Sequence, residues 1–148
     1  MTDWRVWNAT RGDAETLAAL EAAAFGARSW GAIGVKASFE APGVFVLLGG
    51  ESENAPSGFA LWRDLGEEAE LLTIGVAPAA RKSGLGRALL AAILDAARVA
   101  GVEKIYLEVD ARNQTGLALY ESAGFRPIGV RKRYYRDGGD ATVMSCSL

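Results

Sequence analysis

Val76-Ala-Pro-Ala-Ala-Arg81-Lys82-Ser83-Gly84-Leu85-Gly86-Arg87-Ala-Leu-Leu90 is a basic, glycine-bearing turn between two apolar elements. Ahead of it, Leu71-Leu-Thr-Ile-Gly-Val76 reads as a buried strand. Behind it, Leu85, Leu89, Ile93 and Ala97 recur every four residues, the stripe of a helix packed on a sheet. The first N–H groups of such a helix lack intrahelical partners and carry a partial positive charge. Gly84 and Gly86 let a ligand approach the backbone, and Arg81, Lys82 and Arg87 flank it. The stretch is therefore a candidate phosphate site. It lacks the Gly-Lys-Ser/Thr of a Walker A loop and the third glycine of the dinucleotide fingerprint.

The rest of the chain limits the chemistry. At 148 residues the expectation is one domain over 1–148, with length enough for a core. No run reaches the roughly 18 apolar residues of a membrane helix, and Met1-Thr-Asp-Trp-Arg5 has no apolar signal core, so a cytoplasmic protein without membrane partners is expected. The chain has no histidine and a single cysteine, Cys146. Histidine-based triads are excluded, no metal is expected, and acid–base work falls to carboxylates, tyrosines, lysines, the thiol or water. The net charge is −2, with acids gathered at Glu51–Glu70 and bases at Arg126–Arg136. A chain acidic overall is not expected to bind nucleic acid directly. Nothing in the sequence bears on oligomeric state.

Outward from the turn, the elements fall into place. Trp4–Trp7 reads as a first strand, and Thr10-x-x-Asp13 as a capping box before a helix that buries Leu17, Leu20 and Ala24. Ser29 caps a second helix that runs to Phe39 and stops at Pro42-Gly43. Strands at Gly43–Leu48, Gly58–Arg63 and 69–76 form an antiparallel meander. The helix after the turn ends at Gly101. Val102–Val109 then alternates, with Ile105, Leu107 and Val109 on one face and Tyr106 and Glu108 on the other. Strand, helix, strand in this order predicts a right-handed crossover and a parallel pair. Asn113 caps a helix through Ala123 that Gly124 ends, and the strands Arg126–Tyr135 and Ala141–Ser147 close the chain.

On residues alone, Glu108 and Tyr120 are the candidate base and acid. Glu108 stands near the end of the strand beside the phosphate-binding unit, where open α/β sheets place their ligand crevice. Tyr120 lies on the helix that comes next. Each has a structural explanation that the residues alone favour: Glu108 paired with Lys104 or Arg112, and Tyr120 packed between helix and sheet with its hydroxyl in water.

Arg81-x-x-Gly84-x-Gly86 resembles the pyrophosphate-binding motif of the GNAT acetyltransferase superfamily. Leu107-Glu-Val-Asp-Ala-Arg-Asn-Gln-Thr-Gly-Leu-Ala-Leu-Tyr-Glu-Ser-Ala-Gly-Phe125, followed by Val130-Arg-Lys-Arg-Tyr-Tyr135, is similar to the RimI-type N-terminal acetyltransferases. The resemblance runs from about Leu71 to Met144 and is looser before that. It implies an α/β (α+β) GNAT fold: a mixed, mostly antiparallel sheet with one parallel pair at the CoA-binding strand-turn-helix and helices on both faces. It implies transfer of acetyl from acetyl-CoA to a protein N-terminus, the N-terminal alanine of a small-subunit ribosomal protein. Glu108 would accept the proton and Tyr120 donate one. The cofactor would meet Ile74, Gly75 and Val76 through their backbone, then Arg81, Lys82, Ser83, Gly84, Leu85, Gly86 and Arg87, and also Asn113. Two departures stand out. Ser83 replaces a cation, and Gly116 is expected mid-helix, where the family usually carries a larger residue. Two other readings share the motifs: the same fold acting on a small amine, and a CoA-binding module without turnover, against which the presence of both Glu108 and Tyr120 speaks.

Overall fold

The computed structural model describes residues 3–148. Seven strands form one sheet in the order β1-β2-β3-β4-β5-β7-β6: β1 Arg5–Asn8, β2 Val44–Gly50, β3 Pro56–Asp64, β4 Glu68–Val76, β5 Lys104–Asp110, β6 Arg126–Arg131 and β7 Ala141–Ser147. Every neighbouring pair is antiparallel except β4 and β5. The expected mixed sheet with a single parallel pair is therefore present. α1 (Ala14–Phe25) and α2 (Gly31–Glu40) cover one face, and α3 (Leu85–Val99) and α4 (Gln114–Ser122) the other.

Alternation along the strands divides the core in two. Leu48, Phe59 and Leu61 point toward α1 and α2, where Leu17 and Val35 meet them. Leu47, Ala60, Trp62, Ile105 and Leu107 point toward α3, whose Leu85, Leu89, Leu90 and Ile93 are all buried. The four-residue stripe of α3 is thus the seam expected of it.

Two irregularities in β4 open the sheet. Trp62 pairs with Leu71 but Leu61 pairs with Thr73, so Leu72 is an extra, bulged residue. The parallel pairing with β5 covers only Glu68–Glu70 against Lys104–Tyr106. From Leu71 onward β4 leaves β5, and a gap lies between Leu72–Val76 and Leu107–Asp110. A bulge adds twist and bends its strand, which is the local cause of such a parting.

Some expected boundaries move. Asp13 does accept from the Thr10 N–H at 2.9 Å, but the cap opens a 3₁₀ turn at Arg11–Asp13 before α1 begins. β6 stops at Arg131 instead of reaching Tyr135. Arg133 adopts φ 51°, and Asp140 accepts from the Arg133 N–H at 3.0 Å and from Lys132 at 3.4 Å. A left-handed residue cannot continue a strand, so 132–140 is a folded hairpin loop. Gly116 is not mid-helix but in the first turn of α4, where its N–H donates to Asn113 Oδ1 at 2.9 Å. A Cβ there would stand 2.6 Å from Asn113 Nδ2, so the glycine accommodates the cap.

One buried charge goes unannounced in the sequence. Glu21 is 2% exposed, one turn beyond Leu17 on the inner face of α1. Both its oxygens accept from the Trp30 N–H at 3.0 Å, and it also takes the Ser29 hydroxyl. Ser29 Oγ in turn accepts from the Gly31 N–H at 3.1 Å at the start of α2. Glu21 thus fixes the junction of α1 and α2. Replacing it with alanine leaves these donors without their acceptor and should cost about 1–3 kcal/mol of stability. Glu21→Gln, which keeps one acceptor oxygen, should cost less. Urea unfolding measures both, and an unchanged midpoint in Glu21→Ala would remove the carboxylate from this role.

Candidate active site

The turn at 81–87 has the geometry of an anion cradle. Lys82 (φ 60°) and Gly84 (φ 91°) are both left-handed, a backbone conformation used in anion-binding nests. Leu85, Gly86 and Arg87 are the first three residues of α3, so their N–H groups have no acceptor within the helix. The nearest atoms to a Cβ on Gly86 would be Leu119 Cδ2 at 3.6 Å and Val76 Cγ2 at 3.9 Å, ordinary contacts. Internal packing therefore does not demand this glycine, and it leaves the backbone open to a ligand. Trp4 anchors the loop by donating from Nε1 to the Ser83 carbonyl at 2.9 Å. Ser83 turns its own hydroxyl back to the Ala80 carbonyl.

Arg81 has a task that the motif does not reveal. Its guanidinium donates to the carbonyls of Val76 at 3.3 Å and Ala24 at 3.0 Å. It ties the C-terminal end of α1, where carbonyls lack partners and cations are favoured, to the end of β4. The cations left at the turn are Lys82 and Arg87. Gly75 also has an internal reason to be glycine, since a Cβ would run into the Phe59 ring. Ile74, Gly75 and Val76 lie on the stretch of β4 that has parted from β5. Asn113 lies beyond the end of β5 and caps α4.

Glu108 opens onto the other face of the sheet, into a groove of about 970 Å³. Trp30, Leu72, Tyr106, Arg131, Tyr134 and Tyr135 are among its walls, with Glu67, Glu68 and Glu70 at the β4 side. The expected partners of Glu108 were Lys104 or Arg112. Its actual partner is Arg131, with Nε at 3.0 Å from Glu108 Oε1. The neighbouring Glu108 carboxylate is the main reason the Tyr134 hydroxyl is held above its usual pKa. Burial raises Tyr135 first, and Asp110 and Glu108 add to it.

Tyr120, on α4, packs against the core on the α3 side of the sheet. Its ring packs edge-on against Phe125, with centroids 5.9 Å apart. Desolvation pushes its hydroxyl up to about 12, with a smaller push from Tyr135.

The hairpin carrying these tyrosines is pinned. Arg28, at the α1–α2 junction, reaches Asp110 at 3.0 Å and Asp137 at 2.6 Å and lies 4.6 Å over the Tyr135 ring. Arg112 reaches the same two carboxylates at 2.9 and 3.1 Å. Arg112, with help from Arg28, holds Asp110 well below the ordinary carboxylate range. The Gly139 N–H, then Arg28 and Arg112, bring Asp137 down to about 2. One network thus fastens three parts of the groove wall: α1–α2, the end of β5 and the 132–140 hairpin. Among the described residues no group of His, Cys, Asp and Glu is placed to hold a metal, and no helix is long and apolar enough to cross a membrane.

Comparison with known proteins places this architecture. The model of the acetyltransferase (GNAT) family matches residues 9–125. The N-alpha-acetyltransferase RimI of Mycobacterium tuberculosis is 42% identical over 141 residues, 91% of this chain and 87% of that one. The ribosomal protein bS18-alanine N-acetyltransferase of Escherichia coli K12 is 41% identical over 93 residues, 61% of this chain and 63% of its own. A crystal structure of the ribosomal-protein-S18-alanine N-acetyltransferase from Escherichia coli superposes with a TM-score of 0.89 at 29% identity, covering 99% of this chain and 94% of that one. A sheet parted beside a strand–turn–helix anion cradle, together with these matches, identifies the chain as an N-acetyltransferase belonging to the GNAT family.

Proposed function

We propose that the protein moves an acetyl group from acetyl-CoA to the α-amino group at the N-terminus of a protein, with the N-terminal alanine of a small-subunit ribosomal protein as its natural acceptor. The named activities of the relatives support the acceptor class. The observation that carries the reading is the position of Glu108: in a groove open to extended chain, beside the part of the sheet that has opened next to the cradle.

Each part has its own task. The N–H groups of Leu85, Gly86 and Arg87, with Lys82 and the Arg87 side chain, hold the diphosphate of CoA, and Ser83, Gly84 and Asn113 complete that end. The backbone edge of Ile74, Gly75 and Val76 that β5 leaves unpaired takes the pantetheine arm and steadies the thioester oxygen as it gains charge. The donor supplies an activated acetyl group on sulfur; the protein supplies position and proton handling.

Glu108 draws the acceptor's α-ammonium into the groove; one proton passes to water to free the amine lone pair, and Glu108 receives the second as the amide forms. A carboxylate is a weak base toward a free ammonium. The N–H grows much more acidic as the N–C bond forms, so the carboxylate is needed at that moment. Tyr120 remains protonated at neutral pH because its pKa stands at about 12. A thiol is a stronger acid, ~8.5 for cysteine. Tyr120 therefore serves chiefly as a hydrogen-bond donor to the departing sulfur. Tyr134 and Tyr135 wall the groove and meet the first peptide groups of the acceptor.

An α-amino group has pKa ~8 against ~10.4 for lysine, so a carboxylate with no histidine to assist favours the former by roughly 3 kcal/mol. Peptides beginning with alanine should be acetylated at the N-terminus, and N-terminally blocked peptides with a free lysine should react poorly. Mass mapping of the acetyl group decides the matter. A mark on lysine, or preferential turnover of free small amines, would overturn the proposal in favour of a small-amine enzyme.

A further inference from the structure

In the free protein the Glu108 carboxylate is already engaged by a cation of the chain's own. Several charged or titratable groups face it. Arg131 comes from the end of β6, Tyr134 and Tyr135 from the 132–140 hairpin, and Tyr106 from its own strand; Glu67, Glu68 and Glu70 stand across the groove. β7 contributes only Val143. Among the described residues lining the groove, Arg131 is the one cation.

Its contact differs from the neighbouring arginine pair. Arg112 grips Asp110 as a fork, Nε to Oδ1 at 3.0 Å and a terminal nitrogen to Oδ2 at 2.9 Å, with its backbone N–H adding a third bond at 2.9 Å. Such a fork fixes geometry. Arg131 offers only Nε to one oxygen at 3.0 Å, and its side chain is 59% exposed. It ends an edge strand whose six residues are all exposed, so little packing holds it. A single exposed pair of this kind opens easily. The guanidinium also has a second perch, the Tyr134 ring, 6.0 Å from its central carbon.

We infer that Arg131 stands, in the free enzyme, where the acceptor's α-ammonium will stand, and that acceptor binding exchanges one cation for the other on Glu108. The inference rests on the reading of Glu108 as the partner of the acceptor amine. The exchange preserves charge: guanidinium leaves the carboxylate for Tyr134 and solvent as the ammonium arrives. After transfer the product amide carries no charge. Once the proton on Glu108 has passed to water, nothing in the product competes with Arg131, which returns to the carboxylate and disfavours the product's stay. Arg131 is thus a positioning residue that lowers affinity for the amine without touching the reacting atoms.

The test uses the intact protein saturated with CoA and two peptides. One is an uncharged-side-chain peptide that begins with a free alanine and ends in an amide; the other is its N-acetylated twin. Calorimetry should show Arg131→Gln binding the free-amine peptide about three- to fivefold more tightly than wild type does. The acetylated twin should be unaffected. In turnover, KM for the free-amine peptide should fall by the same factor without a rise in kcat. Arg131→Met, which keeps the apolar stem, should reproduce the gain if the glutamine variant folds poorly. Placed on Glu108→Gln, the Arg131 change should lose its selectivity. Equal changes for both peptides, no change, or weaker binding of the free amine would overturn the inference. Full turnover by Glu108→Gln alone would sink the base role instead, and the binding comparison separates the two failures.

Discussion

Glu108→Gln is expected to slow acetyl transfer by about 10²–10⁴-fold, the range typical of a positioned general base. The amide is nearly isosteric and the side chain is 30% exposed at a groove wall, so the fold should tolerate it. It cannot take the proton that the forming amide must lose. Affinity for acetyl-CoA should remain near wild type, because the cradle at 81–87 lies on the other side of the strand opening. Tyr120→Phe should cost a smaller factor, since it removes a hydrogen bond to the departing sulfur and leaves the ring packed on Phe125. Steady-state rates on an alanine-initiated peptide, together with CoA affinity, measure both. Wild-type turnover in Glu108→Gln would return Glu108 to a structural ion-pair partner of Arg131.

The second large effect concerns the cradle. A ligand at about 100 times its Kd stabilises the folded state by about 2.7 kcal/mol, or roughly 5–10 °C for a domain of this size. Acetyl-CoA should shift the wild-type melting temperature by that amount. Gly84→Asp should abolish the shift by placing a carboxylate where phosphate oxygens belong. The substitution carries its own strain, because φ at Gly84 is 91° and a side chain there costs about 1–2 kcal/mol. Gly84→Ala supplies the control: similar strain, no charge, and a retained share of the ligand shift. A full shift in Gly84→Asp would mean that the diphosphate binds elsewhere.

How much of this the chain announces depends on how local the cause is. The strand–turn–helix at 71–97 was legible because its apolar stripe, its glycines and its basic residues all lie within one short stretch. The alternation of β5 placed Ile105, Leu107 and Val109 in the core and Glu108 on the opposite face, as the structure has it. The Asn113 cap and the Gly124 stop were equally local. What stayed hidden depends on distant partners. The bulge at Leu72 appears only in its register against Leu61 and Trp62. Glu21 reads as a solvent-facing helical acid until the Trp30 N–H and the Ser29 hydroxyl meet it, although its place one turn after Leu17 was a signal. The partner of Glu108 lies 23 residues along, on a strand whose end is set by the left-handed Arg133. Nothing in the motif reveals the further contact of Arg81 with the Ala24 carbonyl, 57 residues away.

The opening between β4 and β5 also bears on traffic. In the proposed arrangement the donor approaches from the α3 side and the acceptor from the face that carries Glu108, so neither blocks the other's door. Both must be present at once, and double-reciprocal plots should intersect instead of running parallel. The acetylated chain and the spent thiol then depart in different directions, without a swinging cover. An acceptor as bulky as a whole ribosomal protein never has to be swallowed: its leading residues reach through the window while the rest stays outside.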